Sequence, residues 1–176
     1  MSSPEHITAM FPLETVLFPT MTLPLRLFED RYRQLARDCL SGNREFGVCL
    51  IERGQEVGGG EVRSSFGTMA EIIHAEELPD GEWMLLTIGT YRIRILEWLE
   101  DKPYPRALTQ DWRDFTEEDL SHQRELALQH LKLVLGLLVD EDHPATARAT
   151  DIDEDPVVAS YQMAILSPFS AFDRQR

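Results

Sequence analysis

The chain has 176 residues, of which 43% are hydrophobic and 27% charged, a composition typical of a folded globular protein with a buried core. Its 17 lysines and arginines against 31 aspartates and glutamates give a net charge of −14, which disfavours binding to nucleic acids and to anionic membrane surfaces. The length fits one domain, or one compact domain with a helical extension.

The two cysteines indicate a reduced, cytoplasmic protein. Cys39 and Cys49 lie in apolar contexts and lack the close Cys/His spacing that a zinc site needs. The N-terminus has neither the basic nor the apolar region of a signal peptide. The longest strongly apolar stretch, residues 131–139, includes Lys132 and is too short to span a bilayer. We therefore expect a soluble protein with no membrane partner.

Three prolines punctuate the apolar runs near the N-terminus. Pro12, Pro19 and Pro24 interrupt the segment from Phe11 to Leu25. Proline cannot donate a backbone hydrogen bond to a sheet, so each apolar run is predicted to be a short strand, an edge strand or a strand that ends at a bulge.

An amphipathic helix is predicted over residues 28–41. Its apolar positions recur at helical spacing and form one stripe, namely Phe28, Tyr32, Leu35, Ala36 and Cys39. Gly42 follows directly and is expected to end the helix in the left-handed conformation.

Strand patterns follow without further helices until residue 112. The predicted strand regions are Phe46–Ile51, Val62–Leu78, Trp83–Leu99 and Tyr104–Trp112. A flexible connection is expected at residues 54–60, an interruption at Gly67, a tight turn at residues 79–81 and a bulge or barrel corner at Gly89. Local hairpins with one early helix predict an α+β fold, in which residues 1–112 form a small, partly closed β-barrel.

The composition changes after Trp112, and residues 113–176 are predicted to be a helical extension. One helix is expected from about residue 116 to 139, and its Leu/Val-rich second half should be buried nearly all round. Residues 140–155 form an acidic linker. Two further helix starts are predicted, at Asp155–Pro156 and at Ser167–Pro168, since each pairs a capping residue with a proline.

No residue pattern predicts catalysis, a cofactor or a metal. The sequence has no nucleotide-binding Walker motif and no Gly-x-Ser-x-Gly elbow. A Ser–Lys dyad needs an activated lysine, but Lys102 lies in a charged turn and Lys132 lies on a predicted helix, four residues past Leu128. The alternating Asp151, Asp153 and Asp155 lack the glycine and the distal glutamate of a calcium loop. We therefore predict a protein that is not an enzyme.

Exposed apolar side chains are the remaining source of function. Phe18 and Tyr104 lie near predicted strand ends. Met21 lies in a short predicted turn and is therefore not expected to be buried as part of a strand. These three residues are the predicted contacts with a protein or peptide partner.

An ordered set of short motifs resembles the N-terminal substrate-binding domain of Lon proteases. The matching pieces are Phe11-Pro12-Leu13, Val16-Leu17-Phe18-Pro19, Leu23-Pro24-Leu25, Phe28-Glu29, Arg31-Tyr32, Phe46-Gly47-Val48, Gly67-Thr68 with Ala70, Leu78-Pro79-Asp80-Gly81, Gly89 with Tyr91-Arg92, and Pro103-Tyr104. They span about residues 8–110. The resemblance implies a pseudo-barrel related to the PUA fold, followed by a helical bundle. In the full protease this region engages substrates and aids assembly, while separate domains hydrolyse ATP and cut peptides.

These observations favour a non-catalytic module that recognises unfolded or apolar segments, or one protein partner, in protein quality control. Two alternatives stay open: RNA binding by analogy with PUA-like folds, which the net charge disfavours, and a purely structural or assembly role. The oligomeric state is left open by the sequence.

Overall fold

The computed structural model describes residues 4–53, 62–112, 114, 119–138 and 151–176. These residues form six strands and four helices. The strands are β1 (Glu5–Leu13), β2 (Thr22–Leu27), β3 (Glu45–Arg53), β4 (Val62–Glu77), β5 (Trp83–Leu99) and β6 (Arg106–Asp111); the helices are α1 (Asp30–Ser41), α2 (Ser121–Leu138), α3 (Pro156–Leu166) and α4 (Ala171–Gln175). The predicted connection at residues 54–60, the first predicted turn of the long helix at residues 116–118 and residues 140–150 of the acidic linker lie outside the described residues.

The six strands form one sheet that closes on itself. Its order is β2-β5-β4-β3-β1-β6, and an additional β5–β6 pairing joins the two sides, which leaves β2 as an edge strand beside β5. Strands β1 and β3 pair in parallel, and the other pairs are antiparallel. The predicted α+β barrel with one early helix is confirmed.

Both strand prolines lie where a missing backbone donor costs least. Pro24 is in the edge strand β2. Pro12 is in the half of β1 that pairs only with β3, since the pairing of β1 with β6 ends at Ala9. Proline is tolerated at such positions because no second neighbour needs its N–H group.

Helix α1 packs one face onto the barrel. Its buried residues are Tyr32, Leu35, Ala36 and Cys39, as the apolar stripe predicts. The helix begins only at Asp30, and Phe28, which precedes it, is 50% exposed. The prediction that Phe28 belongs to the apolar stripe of the helix was therefore wrong. Gly42 does end the helix, but with φ of −111°, and the left-handed residue is Arg44, with φ of 64°.

The core lies between α1 and the inner face of the sheet. Phe46 is fully buried there, and its ring centroid lies 6.1 Å from that of Phe11. Phe11 in turn contacts Tyr32 of α1 edge-on, with 4.3 Å between ring centroids. This aromatic chain joins the helix to two strands of the barrel.

The predicted turn at residues 79–81 is confirmed, and Gly67 and Gly89, the two strand glycines that the sequence analysis singled out, differ in role. Gly81 has φ of +78°, and its N–H group donates to the Leu78 carbonyl at 2.8 Å. The β4–β5 register shifts between the Thr68–Arg92 and Ala70–Gly89 pairs, as expected of a bulge at Gly89. Strand β4 continues through Gly67, but its register with β3 shifts next to the Cys49–Gly67 pair. The interruption predicted at Gly67 is therefore an irregularity of pairing and not a break in the strand. The bare Cα of Gly67 lets the Val48 carbonyl approach, since a Cβ would lie 2.3 Å from that oxygen.

The chain divides into two compact units, Met1–Arg113 with Gln175–Arg176, and Asp114–Arg174. The assignment of residues 1–112 and 113–176 to two domains stays a prediction. In the second unit, α3 begins as predicted: Asp155 accepts from the N–H groups of Val157 and Val158 at 2.8 and 3.0 Å.

Helix α2 is less buried than its composition suggests. Leu131 and Leu135 pack with residues of α3, but Leu133 is 62% exposed and Leu137 is 78% exposed. The expectation that the Leu/Val-rich second half of this helix is buried nearly all round was therefore wrong, because its described contacts cover only one face.

The helix start predicted at Ser167–Pro168 was also wrong. The Ser167 N–H group donates to the Met163 carbonyl at 3.0 Å and so ends α3. The next helix begins at Ala171. The Ser170 hydroxyl, directly before it, accepts a hydrogen bond from the Asp173 N–H group at 3.2 Å. None of the helices within the described ranges has the length and apolar character that crossing a membrane requires.

Candidate protein-binding surface

Phe18 and Met21, two of the predicted contact residues, lie in one turn beside β5. The Met21 N–H group donates to the Phe18 carbonyl at 3.1 Å, and the Gly89 N–H group donates to the Met21 carbonyl at 2.9 Å. Thr20, between them, has φ of 69°, and its N–H group donates to the Gly89 carbonyl at 2.8 Å. The turn is therefore held against β5 by backbone hydrogen bonds.

Glycine is required at position 89 by this close approach. A Cβ there would lie 2.1 Å from the Phe18 carbonyl oxygen and 2.9 Å from the carbonyl carbon. Phe18 and Met21 are each half-buried, and Met21 packs against the main core cluster. Their role as partner contacts stays a prediction.

Tyr104 lies elsewhere, in the wall of a polar cleft of about 590 Å³ that neither Phe18 nor Met21 lines. It is only 9% exposed, and its hydroxyl donates to Asp38 Oδ2 at 2.8 Å. Burial, and then this hydrogen bond, raise the pKa of Tyr104 to about 12. The structure thus does not bring the three predicted residues into one site, and Tyr104 joins α1 to the chain before β6.

The cleft wall holds a thiol that is not activated and a carboxyl, that of Glu45, whose pKa is raised chiefly by burial. The Cys39 thiol lies in its wall, and burial, followed by the nearby Asp38 charge, raises its pKa to about 12. A thiol with that pKa stays protonated at neutral pH and is a poor nucleophile. Within the described ranges, no three His, Cys, Asp or Glu side chains are grouped so as to hold a metal ion.

One exposed apolar surface of the barrel is formed by three alternate residues of β5, Met84, Leu86 and Ile88, which we call the β5 strip. Met84 is 38% exposed, Leu86 is 37% exposed and Ile88 is half-buried. The residues between them, Leu85 and Thr87, are 2% and 0% exposed and face the core. The strip therefore lies on the outer face of the sheet, where an antiparallel strand normally carries polar side chains.

Neighbouring strands extend this apolar surface. Pro24 of β2 stands opposite Leu86 on one side, and the polar side chain of His74 of β4 stands opposite it on the other. Ile73, at a register shift of β4, is 47% exposed. Apolar side chains grouped on an outer face mark a protein contact more often than isolated exposed residues do.

Acidic residues border the β5 strip. Glu71 stands opposite Ile88, and Glu76 stands opposite Met84. The cation on the β2 side, Arg26, also stands opposite Met84 and forms an ion pair with Glu82. The described border is therefore mainly negative, a charge that attracts basic groups and repels acidic ones.

The free edge of β2 adjoins a shallow groove of about 210 Å³. Phe28, which is 50% exposed, lines this groove together with Pro24, Arg26 and residues of β1. Proline and arginine on an edge strand discourage the addition of another strand. The outer face of the sheet is thus better suited to a partner than its edge.

Sequence reasoning missed the β5 strip because the segment Trp83–Ile88 is apolar at both alternating phases except at Thr87. Thr87 faces inward all the same, because its hydroxyl donates to the Leu23 carbonyl at 2.9 Å. The only signal in the sequence was that Trp83–Ile88 has more apolar residues than one buried face of a strand requires.

Comparisons with known proteins agree with the fold. Residues 8–176 match the family model described as the ATP-dependent protease La (LON) substrate-binding domain. The Lon N-terminal domain protein from Xanthomonas campestris aligns with a TM-score of 0.69 and 28% identity, over 96% of this chain and 87% of that one. The N-terminal domain of the Mycobacterium avium complex Lon protease aligns with a TM-score of 0.64 over 97% and 95% of the two chains, and at 12% identity it supports the fold alone.

The similar full-length proteins are much longer than this chain. The Lon protease of Dictyoglomus thermophilum is 33% identical over 104 residues, which are 59% of this chain and 13% of that protease. Lon protease 1 of Herpetosiphon aurantiacus is 25% identical over 98% of this chain and 22% of its own length. The matched region is therefore a small part of each protease.

Proposed function

This chain belongs to the family of ATP-dependent protease La (LON) substrate-binding domains, and we propose that it is a non-catalytic module that binds exposed apolar segments of other proteins. The observation that carries the proposal is the β5 strip, an apolar surface on the outside of a closed sheet. A client segment would cover Met84, Leu86 and Ile88, and the acidic border would keep the free module from associating with its own copies.

The role in protein quality control is part of the same proposal. A surface that meets unfolded segments needs apolar side chains that adapt to different shapes, and methionine suits this use. Met84 supplies such a side chain on the strip. We place the module in the cytoplasm, because both of its cysteines are free.

The direct test is fluorescence anisotropy with a labelled client that cannot refold, such as reduced and carboxamidomethylated lysozyme. We expect saturable binding that persists at high salt, because burial of apolar surface is not screened by ions. Folded lysozyme is the control, since it is also basic but keeps its apolar segments buried. It should not compete with the unfolded form at high salt.

The two alternatives predict other results. Binding to an RNA oligonucleotide that weakens steeply with salt would indicate phosphate contacts instead. No client binding at either salt concentration, with one stoichiometric partner recovered by cross-linking, would favour the assembly role and reject client recognition.

A further inference from the structure

A second exposed surface of the barrel, farther along the β4–β5 pairing than the β5 strip, combines two aromatic rings with an arginine. Phe66 of β4 is 42% exposed, and Trp112, directly after β6, is 39% exposed. Their ring centroids lie 5.5 Å apart with the planes at 80°. The Arg94 guanidinium carbon lies 5.7 Å from the Trp112 ring centroid. We call these three residues the aromatic platform.

The sheet fixes this arrangement. Arg94 stands opposite Phe66 in the β4–β5 pairing, and it points outward because Ile93 and Ile95 on either side are in the core. The Trp112 N–H group donates to the Arg92 carbonyl at 2.8 Å. That bond holds the tryptophan beside β5 after the strand β6 has ended.

Arg94 is the feature of the platform that points to a ligand. Two other arginines of the same unit are paired with carboxylates, since Arg37 of α1 lies 3.3 Å from Glu77 and Arg63 of β4 lies 3.4 Å from Asp101. Arg44 and Arg106 donate instead to backbone carbonyls. Arg94 forms neither an ion pair nor a hydrogen bond with any described residue, although the chain has an excess of 14 acidic groups over basic ones. Its five N–H donors are therefore open to a carboxylate from outside.

We propose that the aromatic platform binds an acidic peptide segment in which a carboxylate lies next to an aromatic or branched aliphatic side chain. The carboxylate accepts two hydrogen bonds from Arg94, and the neighbouring apolar side chain packs against Phe66 and Trp112. Tryptophan and arginine are the residue types most enriched where protein contacts concentrate their affinity. A nucleic acid could also stack on Trp112, but the net charge of −14 opposes a polyanion.

This site goes beyond the proposed function and does not depend on it. The β5 strip is bordered by Glu71 and Glu76 and favours basic apolar segments, whereas the platform carries an unpaired cation and favours acidic ones. Binding to the two surfaces can therefore be measured separately, with a basic peptide for the β5 strip and an acidic peptide for the aromatic platform.

The test uses the indole N–H signals of the three tryptophans in ¹H–¹⁵N spectra of the full chain. The probe is a blocked peptide, Gly-Glu-Phe-Glu-Leu-Gly, compared with the same peptide carrying glutamine for glutamate. We expect the acidic peptide to shift the Trp112 signal in a saturable manner and to leave Trp83 and Trp98 in place. The glutamine peptide should bind about tenfold more weakly, as expected for the loss of one charged hydrogen-bonded pair.

Two variants complete the test. Arg94→Gln should weaken binding of the acidic peptide about tenfold, whereas Arg53→Gln, which removes an exposed charge at the end of β3, should leave it unchanged. Binding of unfolded lysozyme should be the same in both variants, which separates this site from the β5 strip. An unmoved Trp112 signal, equal binding of the two peptides, or tighter and steeply salt-dependent binding of oligouridylate would each overturn the proposal.

Discussion

Replacing Met84 and Leu86 together by aspartate is expected to weaken binding of an unfolded client about a hundredfold. Each side chain contributes about 1.5 kcal/mol when a partner buries it, and a change of about 1.4 kcal/mol is tenfold in affinity. The new carboxylates would also have to lose water in the complex. Both positions are on the outer face and already partly exposed, so the core should remain intact. Anisotropy titration of the labelled client measures the change.

The matched control for this variant is Leu96→Asp. Leu96 is on the same strand, and at 40% it is about as exposed as Leu86. The Leu96→Asp variant adds a carboxylate outside the β5 strip. Its affinity for the client should stay within about twofold of that of the unmodified chain. Equal loss of binding in the control and the double variant would mean that added charge, not the strip, decides client binding.

The substitution Gly89→Ala is expected to lower the free energy of unfolding by about 3 kcal/mol, because the added methyl group overpacks a buried site. The new Cβ would lie 2.1 Å from the Phe18 carbonyl oxygen. Backbone atoms cannot rotate away as a flexible side chain could. The turn that holds Phe18 and Met21 would therefore have to move from β5. Urea unfolding followed by circular dichroism gives the difference.

The control for this prediction is Gly136→Ala, which should have the opposite effect. Gly136 is in α2, and a Cβ there would meet no atom within 4 Å. Alanine favours a helix over glycine by about 1 kcal/mol, so this variant should raise the stability of α2. If Gly89→Ala unfolded at the same urea concentration as the unmodified chain, the turn could not be pressed against β5 as described.

The sequence predicted most of the barrel because local signals agree there with the tertiary structure. The 3.6-residue period of Tyr32, Leu35 and Cys39 identified the buried face of α1, and the turn at Gly81 follows from its need for positive φ. Such signals concern neighbouring residues, so they need no knowledge of which strands meet. Predictions that depended on packing between distant elements were less accurate. The exposure of Leu137 is one example, since composition alone does not show how many partners a helix has.

The candidate site could not be predicted for a similar reason. The alternation of residues in β5 defines two faces, but both are apolar around Leu85 and Leu86, and only the pairing with β2 and β4 shows which face is the core. The turn at Met21 suggested exposure because a short turn usually lies at the surface. A contact between this turn and Gly89, some 70 residues along the chain, leaves Met21 half-buried.

The measurement that tests the central claim most directly is site-specific photo-cross-linking to a client. A photoreactive phenylalanine analogue is placed at position 86 in one sample and at position 96 in another, and each is irradiated with labelled unfolded lysozyme at high salt. We expect a client adduct from position 86, competed by unlabelled unfolded lysozyme but not by the folded form, and little adduct from position 96. Adducts of equal yield from both positions, or from position 96 alone, would contradict client binding at the β5 strip.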